Sequence, residues 1–561
     1  MSRAIAGALV SLLLTMAPGA RAPAPDADWP VEFVDRAAEA GLTRPTIYGG
    51  VERKRFIIET NGAGVALVDV DDDGWLDIVT LSGTRLREDT RVEATFPAGE
   101  RPTTRLYLNQ RDGRFLDVTS SSGLDRQVGW ASGICAGDYD NDGRVDLFLT
   151  AYGTNTLYRN LGGGRFGDVT KAMGLGGQPT RWGSGCTFID YDHDGRLDLF
   201  VANYLTFDLA TAPEPGTGRH CRWKGIAVNC GPKGLPTATH LLYRNTGRAM
   251  VDQSRASGID AVTGRYAMTA TAADLDGDGD VDIYVAADST AAILYRNNND
   301  GTFTDVAVES GTAYNALGAP QAGMGVALAD VDGSATLDIL KTHFADDIPA
   351  LFMNLGNGLF EDAAIPRGLG SENRFVQWGA GMPDLDNDGW PDVVYVTGHV
   401  YPEVERQLAD APHRSPRVVF RNLGGKRFAQ IGAQSGPGIA AVQSSRGAAF
   451  GDIDNDGDVD VLVMNMNAPP SLLVNVARGR NHWIGIRLKG IAANRAGLGA
   501  TVRVTAGGRT HARAVLSQAS YYSHDELVVR FGLGAATQAD RVRVTWPGGA
   551  VTDSGPLQAN R

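Results

Sequence analysis

The sequence predicts an all-β fold: a seven-bladed β-propeller followed by a small C-terminal β-sandwich. Three observations carry that expectation. A nine-residue acidic unit recurs with fixed spacing: "DVDDDGWLD" at 69, "DYDNDGRVD" at 138, "DYDHDGRLD" at 190, "DLDGDGDVD" at 274, "DLDNDGWPD" at 384 and "DIDNDGDVD" at 452, with a damaged copy, "DVDGSATLD", at 330. Two further units recur in step with it. The piece missing after the last copy is present once before the first.

Each repeat reads as four short strands. A strand of small residues such as "GAGVALVDV" precedes the acidic turn, and an apolar strand such as "DIVTL" follows it. The third strand carries "YLN" at 107, "YRN" at 158, 243 and 295, "FMN" at 352, "FRN" at 420 or "LVN" at 473. The fourth carries "FLD" at 115, "FGD" at 166, "MVD" at 250, "FTD" at 303, "FED" at 360 or "FAQ" at 428. No such strand follows the seventh copy, but "FVD" at 33 supplies it from the other terminus, which closes a ring rather than capping a solenoid. Small residues in the first strand suit a crowded axis where backbones approach closely. After residue 475 the pattern changes to alternating strands between glycine-rich turns ("HWIGIRL", "ATVRVTA", "THARAVL", "ELVVRFG", "RVRVTW"), which predicts an antiparallel sandwich. The expected organisation is a signal peptide at 1–22, a propeller over 29–478 and a sandwich over 479–561.

Four carboxylates in one turn repel one another or take up protons unless a cation joins them. Ca²⁺ accepts six to eight oxygens at flexible geometry, so positions one, three, five and nine of each loop are the candidate ligands. They are Asp69, Asp71, Asp73 and Asp77; Asp138, Asp140, Asp142 and Asp146; Asp190, Asp192, Asp194 and Asp198. In the later copies they are Asp274, Asp276, Asp278 and Asp282; Asp384, Asp386, Asp388 and Asp392; Asp452, Asp454, Asp456 and Asp460. Glycine at position six permits the positive φ that wraps the turn. An EF-hand is excluded, because position twelve is Thr80, Leu149, Val201, Val285, Tyr395 or Val463 instead of glutamate, and β-rich runs replace the helices. The copy with Asp330, Asp332, Ser334 and Asp338 lacks the third acid and the glycine, and is expected to be weak or empty. About six structural Ca²⁺ sites would add roughly +12 to a formal charge of −13.

A chain of 561 residues exceeds one ordinary core, and its acidic balance with no basic run argues against nucleic acid. The apolar run from Ala4 to Met16 with small residues at Ala20 and Ala22 predicts a signal peptide, no later run is long enough to span a bilayer, and the expected location is exported: secreted, periplasmic or cell-surface. Four cysteines fit an oxidising compartment. Cys221 and Cys230 share one insertion and are expected to pair; Cys135 and Cys186, on neighbouring first strands, are either bridged or buried free thiols. His193 lies inside a loop at an even position and is expected at the surface.

The loops followed by "YRN…GRFGDVT" resemble FG-GAP/VCBS repeats of integrin-α-type propellers over roughly residues 30–475, and the resemblance implies calcium ligation at the aspartates named above. "NRAGLGA" (494–500), "FGLG" (531–534) and "WPGG" (546–549) resemble the ASPIC/UnbV domain, and the pairing of the two resembles the cartilage acidic protein family.

Topology sends the start of each first strand and the end of each second strand to the face opposite the loops. That face collects Trp130, Trp182, Tyr266, Trp378, His343, His399 and Tyr401 as ligand-face candidates, with Asn203, Tyr204, Lys341, Asn465 and the insertions at 81–105 and 205–240. The expected function is a non-catalytic module binding an unknown glycan or protein; a wedge role between blades is the plainer reading for each tryptophan. The alternative is a secreted hydrolase or lyase using His343, His399, Tyr401, Asp346, Asp347 and Glu403, although no nucleophile motif or zinc triad appears.

Overall fold

The computed structural model describes residues 29–97, 100–126, 129–177, 179–477 and 479–561; the leader expected at 1–22 lies outside them. Among the described residues, seven four-stranded antiparallel sheets before residue 476 each run from an innermost to an outermost strand. In the first these are Val65–Val68, Asp77–Thr80, Arg105–Asn109 and Phe115–Asp117. The seventh takes its outermost strand, Phe33–Asp35, from the N-terminus, and Phe33 pairs with Asn475 as the missing repeat unit requires.

The innermost strands form a closed circle. Val65–Val68 touches Ala131–Gly137, and contact passes on through Arg181–Ile189, Ala267–Ala273, Val326–Ala329, Gln377–Gly381 and Ser445–Gly451 back to the start. Small residues serve that closeness: a Cβ on Gly133, Gly185, Gly325, Gly379 or Gly447 would meet the backbone of the next sheet. The same convergence brings Cys135 and Cys186 to a Cα separation of 5.9 Å and joins them, because sheets meet more tightly at a hub than the roughly 10 Å of stacked faces. Cys221 and Cys230 are also joined, across the hairpin Arg222–Trp223 and Ile226–Ala227.

After the ring, one four-stranded sheet contains Thr501–Ala506, Arg509–Ala514, Arg541–Thr545 and Val551–Ser554. His482–Ile486 pairs with Val529–Gly534 beside it. Its core side chains, among them Leu498, Val502 and Phe531, are continuous with Phe148, Phe188 and Leu197 of the ring. The C-terminal unit therefore shares a core with the propeller. Residues 517–524 reach furthest in: Ser517, Gln518, Ser520, Tyr521, Tyr522, Ser523 and His524 are all buried at the hub. They hydrogen-bond to the innermost strands, with Ile134 N donating to Tyr522 O (2.9 Å), Leu67 N to His524 O (3.1 Å) and Cys186 N to Gln518 Oε1 (3.0 Å). This segment fills the axis of the ring.

Candidate metal loops and the face opposite them

Each acidic turn has one internal wiring. The position-nine carboxylate accepts two backbone amides: in the second loop Asp146 takes Tyr139 N (3.1 Å) and Asn160 N (2.7 Å). The position-one carboxylate accepts the amide of position six, and in the loops at 69, 138, 330 and 452 that of position five as well, as Asp138 does from Asp142 (2.9 Å) and Gly143 (2.8 Å). Position six lies at positive φ in all copies, including Ala335 at 64° in the damaged one. Position four is also left-handed, from Asp72 at 58° to Asn455 at 59°, a conformation that Asn, Asp, His and Gly adopt more readily than other residues.

The loops are stitched to one another around the ring. The asparagine ending each third strand is buried or nearly so, and its amide reaches one or two carbonyls. Asn160 Nδ2 donates to Val145 O of its own loop (3.0 Å) and to Val70 O of the preceding one (2.8 Å). The bond to the preceding loop recurs at Asn245, Asn297, Asn354, Asn422 and Asn475, and Asn109 closes the circle onto Ile453 O at 3.0 Å. The repeated "N" was visible in the sequence, but its inter-sheet role was not, since the acceptor lies in another repeat. His193, expected at the surface, is partly buried and meets Asp280 of the next loop at 2.8 Å.

This wiring leaves carboxylate oxygens facing one another. Ligand atoms of Asp69, Asp71 and Asp77 lie within 4.8 Å of one another, as do those of Asp138, Asp140 and Asp146, of Asp190, Asp192 and Asp194, of Asp274, Asp276 and Asp282, and of Asp330, Asp332 and Asp338. Burial raises the position-nine carboxyls far above the usual range: Asp77 to about 7, Asp146 to about 8, Asp198 to about 9 and Asp338 to about 8. Asp282, Asp392 and Asp460 are pushed up strongly by burial and then by their own loop's carboxylates. Asp190 Oδ1, Asp192 Oδ1 and Asp384 Oδ1 are buried with no hydrogen-bond partner among the described residues. Acceptor-only oxygens, buried and converging, fit a hard cation with oxygen donors, and these clusters can hold metal ions.

Part of the charge is met by the protein itself. Arg159 reaches Asp140 (2.6 Å) and Asp142 (3.2 Å), Arg244 reaches Asp192 (2.6 Å) and Asp194 (3.4 Å), and Arg111 reaches Asp73 (2.6 Å). Position five also receives the amide of position seven, as Asp142 does from Arg144 at 3.0 Å. The third acid of each loop thus braces the turn as well as charging it.

The C-terminal unit docks on this loop face. Arg487 meets Asp69 at 3.1 Å and Arg530 meets Asp452 at 3.1 Å. At the damaged loop, Ala512 N donates to Asp330 Oδ2 (3.2 Å), with His511 kept neutral beside it, its pKa lowered by burial to about 4. The glycine motifs are the points of contact. Gly534 N donates to Asn387 O (2.9 Å), and a Cβ on Gly532 would collide with Asp384 and Asn387. Gly548 N donates to Gly279 O (3.0 Å), and Arg495 N to Asn141 Oδ1 (3.3 Å). No local pattern announces this, because each motif's partner lies more than a hundred residues away.

On the opposite face the structure buries all seven ligand-face candidates. Trp130, Trp182 and Trp378 are at most 2% exposed, and His343, His399, Tyr266 and Tyr401 at most 8%. The tryptophans wedge between sheets: Trp182 donates to Ser132 Oγ (2.9 Å), Trp378 donates to Gly398 O (2.8 Å) and lies edge-on to Tyr521, and Trp130 packs edge-on to Tyr48. Arg446, fully buried, stacks over Trp378 at 4.1 Å. His399 is covered by Trp223 at 4.7 Å from the 205–240 insertion, and burial lowers its pKa to about 3. His343 is also neutral through burial. The segment around Lys54 and the insertion meet above them, Asn229 Nδ2 donating to Lys54 O at 3.2 Å. Sequence periodicity located these residues at the correct end of the strands but could not show the cover. No helix among the described residues is long and apolar enough to cross a membrane.

Residues 95–149, 138–201, 274–340 and 384–463 match the FG-GAP-like repeat family, and residues 490–561 match the ASPIC and UnbV family. The chain is 24% identical over 511 residues to cartilage acidic protein 1 of Homo sapiens, spanning 87% of this chain and 69% of that protein. The Mus musculus protein of the same name is 24% identical over 508 residues, 87% of this chain and 70% of its own. Among solved structures, the BP39L lectin from Burkholderia pseudomallei aligns with a TM-score of 0.41 at 8% identity, over 75% of this chain and 98% of the lectin. An Agrocybe aegerita lectin specific for non-reducing terminal N-acetylglucosamine aligns with a TM-score of 0.35 at 16% identity, over 66% of this chain and 87% of the lectin.

Proposed function

From a chain of FG-GAP-like repeats that ends in an ASPIC and UnbV domain, we propose an exported, calcium-stiffened, non-catalytic binding protein whose ligand, a glycan or a protein, docks on the face opposite the acidic loops. One observation carries this reading: the loop face is taken by the chain's own C-terminal unit, with Arg487, Arg530 and the glycine motifs seated on the turns. The free end of the ring is then the one from which the insertions at 81–105 and 205–240 emerge.

Calcium is the ion favoured for the six complete loops, since their donors are all oxygen and the turns are flexible enough for a large coordination number. Asp69, Asp71 and Asp77 and their counterparts would hold it, with position five contributing in the loop at 190, where Asp194 joins Asp190 and Asp192. The loop at 330, with Ser334 in place of an acid and Ala512 already bonded to Asp330, is assigned weak or no binding. The organisation proposed is a propeller over 29–478 and a sandwich over 479–561, with export directed by residues 1–22. Both disulfides support an oxidising destination. The enzyme alternative is disfavoured by cover: His343 and His399 are sealed from solvent and held neutral, out of reach of a substrate.

The test is a screen of the calcium-loaded protein on glycan and peptide arrays. A ligand whose retention is lost on altering either insertion, and kept on altering Arg487 or Arg530, agrees with the reading. A ligand held through the loop face overturns it, as does turnover that vanishes in His399→Ala while calcium binding persists.

A further inference from the structure

On this acidic chain, with a formal charge of −13, four arginines gather around one recess. Arg44, Arg85, Arg101 and Arg105 line a pocket of about 330 Å³ at the open face, between the 81–105 insertion and the segment that precedes the first sheet. Their charge is poorly compensated. Arg85 is fixed by neutral acceptors, Gly49 O at 3.1 Å and Asn467 Oδ1 at 3.1 Å. Arg105 shares Asp117 at 3.3 Å. Arg44 and Arg101 are exposed and have no carboxylate partner among the described residues. Glu100 is the one acid in the lining, so the recess remains cationic.

The other walls narrow the class of ligand. Phe96 offers a half-buried aromatic surface. Thr46 and Ser82 already spend their hydroxyl protons on backbone, Thr46 donating to Asn465 O and Ser82 to Ile47 O at 3.2 Å, so the charged donors of the lining are the guanidinium groups. The volume is at the lower end for small-ligand sites. A guanidinium pairs in bidentate fashion with carboxylate or sulfate, and an aromatic wall accepts the apolar face of a sugar ring. We propose that this pocket binds an acidic sugar unit, a uronate or a sulfated sugar, of a larger glycan. The proposal rests on the open face being the binding face, and names the class of ligand it takes there.

The experiment titrates the full-length, calcium-loaded protein with trigalacturonate, 3′-sulfolactose and neutral cellotriose by calorimetry, at low and high salt. At least one acidic probe binds, more weakly as salt rises, and cellotriose does not. The affinity falls by about tenfold for each of Arg44→Gln and Arg101→Gln, with an unchanged melting temperature, since neither side chain has a carboxylate partner to lose among the described residues. Which acidic probe binds separates carboxylate from sulfate recognition. The proposal is overturned if neither acidic probe binds at low salt, or if inorganic sulfate binds as tightly as the sugars. Acidic-sugar binding that survives both substitutions but is lost on altering the 205–240 insertion also overturns this site, while leaving the binding face itself intact.

Discussion

Removing the ion at two pH values tests the loops most directly. Burial holds Asp146 at about 8 and Asp77 at about 7, against an ordinary value of 3.8. Between those limits the ion-free folded chain keeps protons that the unfolded chain has released. Its stability therefore falls as pH rises through the folded values. Each tenfold change in proton affinity is worth about 1.4 kcal/mol, so Asp146 alone costs the ion-free fold on the order of 5 kcal/mol near pH 8. Native proteins are stable by roughly 5–15 kcal/mol, so a few such loops consume most of that margin. A bound dication removes the effect by making the charged form the favoured one. The assay is calorimetric melting of chelator-treated and calcium-loaded protein at pH 6.5 and 8.5, above the range where the buried histidines titrate. Lys54 and Lys341, lowered by burial to about 7 and about 8, titrate in this window with the opposite sign. Calcium touches neither, so they cancel in the difference between the two preparations. The melting-temperature gap between preparations should widen by about 10 °C or more from pH 6.5 to 8.5. A gap that is absent, or that narrows as pH rises, refutes the cation-cage account.

Three further outcomes follow from the contacts. Asn160→Ala deletes three bonds and strands Val70 O, Val145 O and Gly162 N, and should lower stability by about 2–4 kcal/mol, read as a lower urea midpoint at constant slope. A shift under about 0.5 kcal/mol would show that the inter-sheet staple is idle. Gly532→Ala drives a methyl group into Asp384 and Asn387, and should cost about 3 kcal/mol or more and speed proteolysis of the connection at 476–481; unchanged cleavage would mean the docking survives. Cys221→Ser with Cys230→Ser should raise hydrogen exchange across 214–235 while global melting moves by less than about 2 °C, because the hairpin there is a local unit.

The ring was readable from sequence because its signals are local and repeated. An aspartate every second residue, a glycine at position six and an asparagine ending the third strand fall at fixed offsets within each copy. Phe33–Asp35 could be matched to Ser471–Asn475 because a missing unit at one end equals an extra unit at the other. The relation of the C-terminal unit to the ring had no such signal. "FGLG" marks a family resemblance at the end of a strand and names no partner, yet Gly532 is glycine because Asp384 leaves no space for a side chain. "SYYSHDE" carries none of the repeated units, yet Tyr522 lies against Gly64 and Tyr521 against Trp378. The tryptophans were placed at the correct end of their strands, but solvent exposure depends on what lies above, and the covering segments carry no periodicity. The arginine recess was missed for a similar reason: Arg44, Arg85, Arg101 and Arg105 never form a run in the chain, and only the insertion's path assembles them.

The axial segment at 517–524 has a consequence for how the protein is made. As the chain leaves the ribosome, Phe33–Asp35 emerges more than four hundred residues before its partner at Ser471–Asn475, and the hub stays hollow until Tyr521 and Tyr522 follow. Every nascent intermediate is thus an open arc with an unpaired edge and an unfilled centre. The largest sequence separations must be bridged last, when the loop-closure entropy is greatest. A chain that lacks its axial segment and its closing strand partner until residues 471–524 are made stays incompletely folded through most of its synthesis.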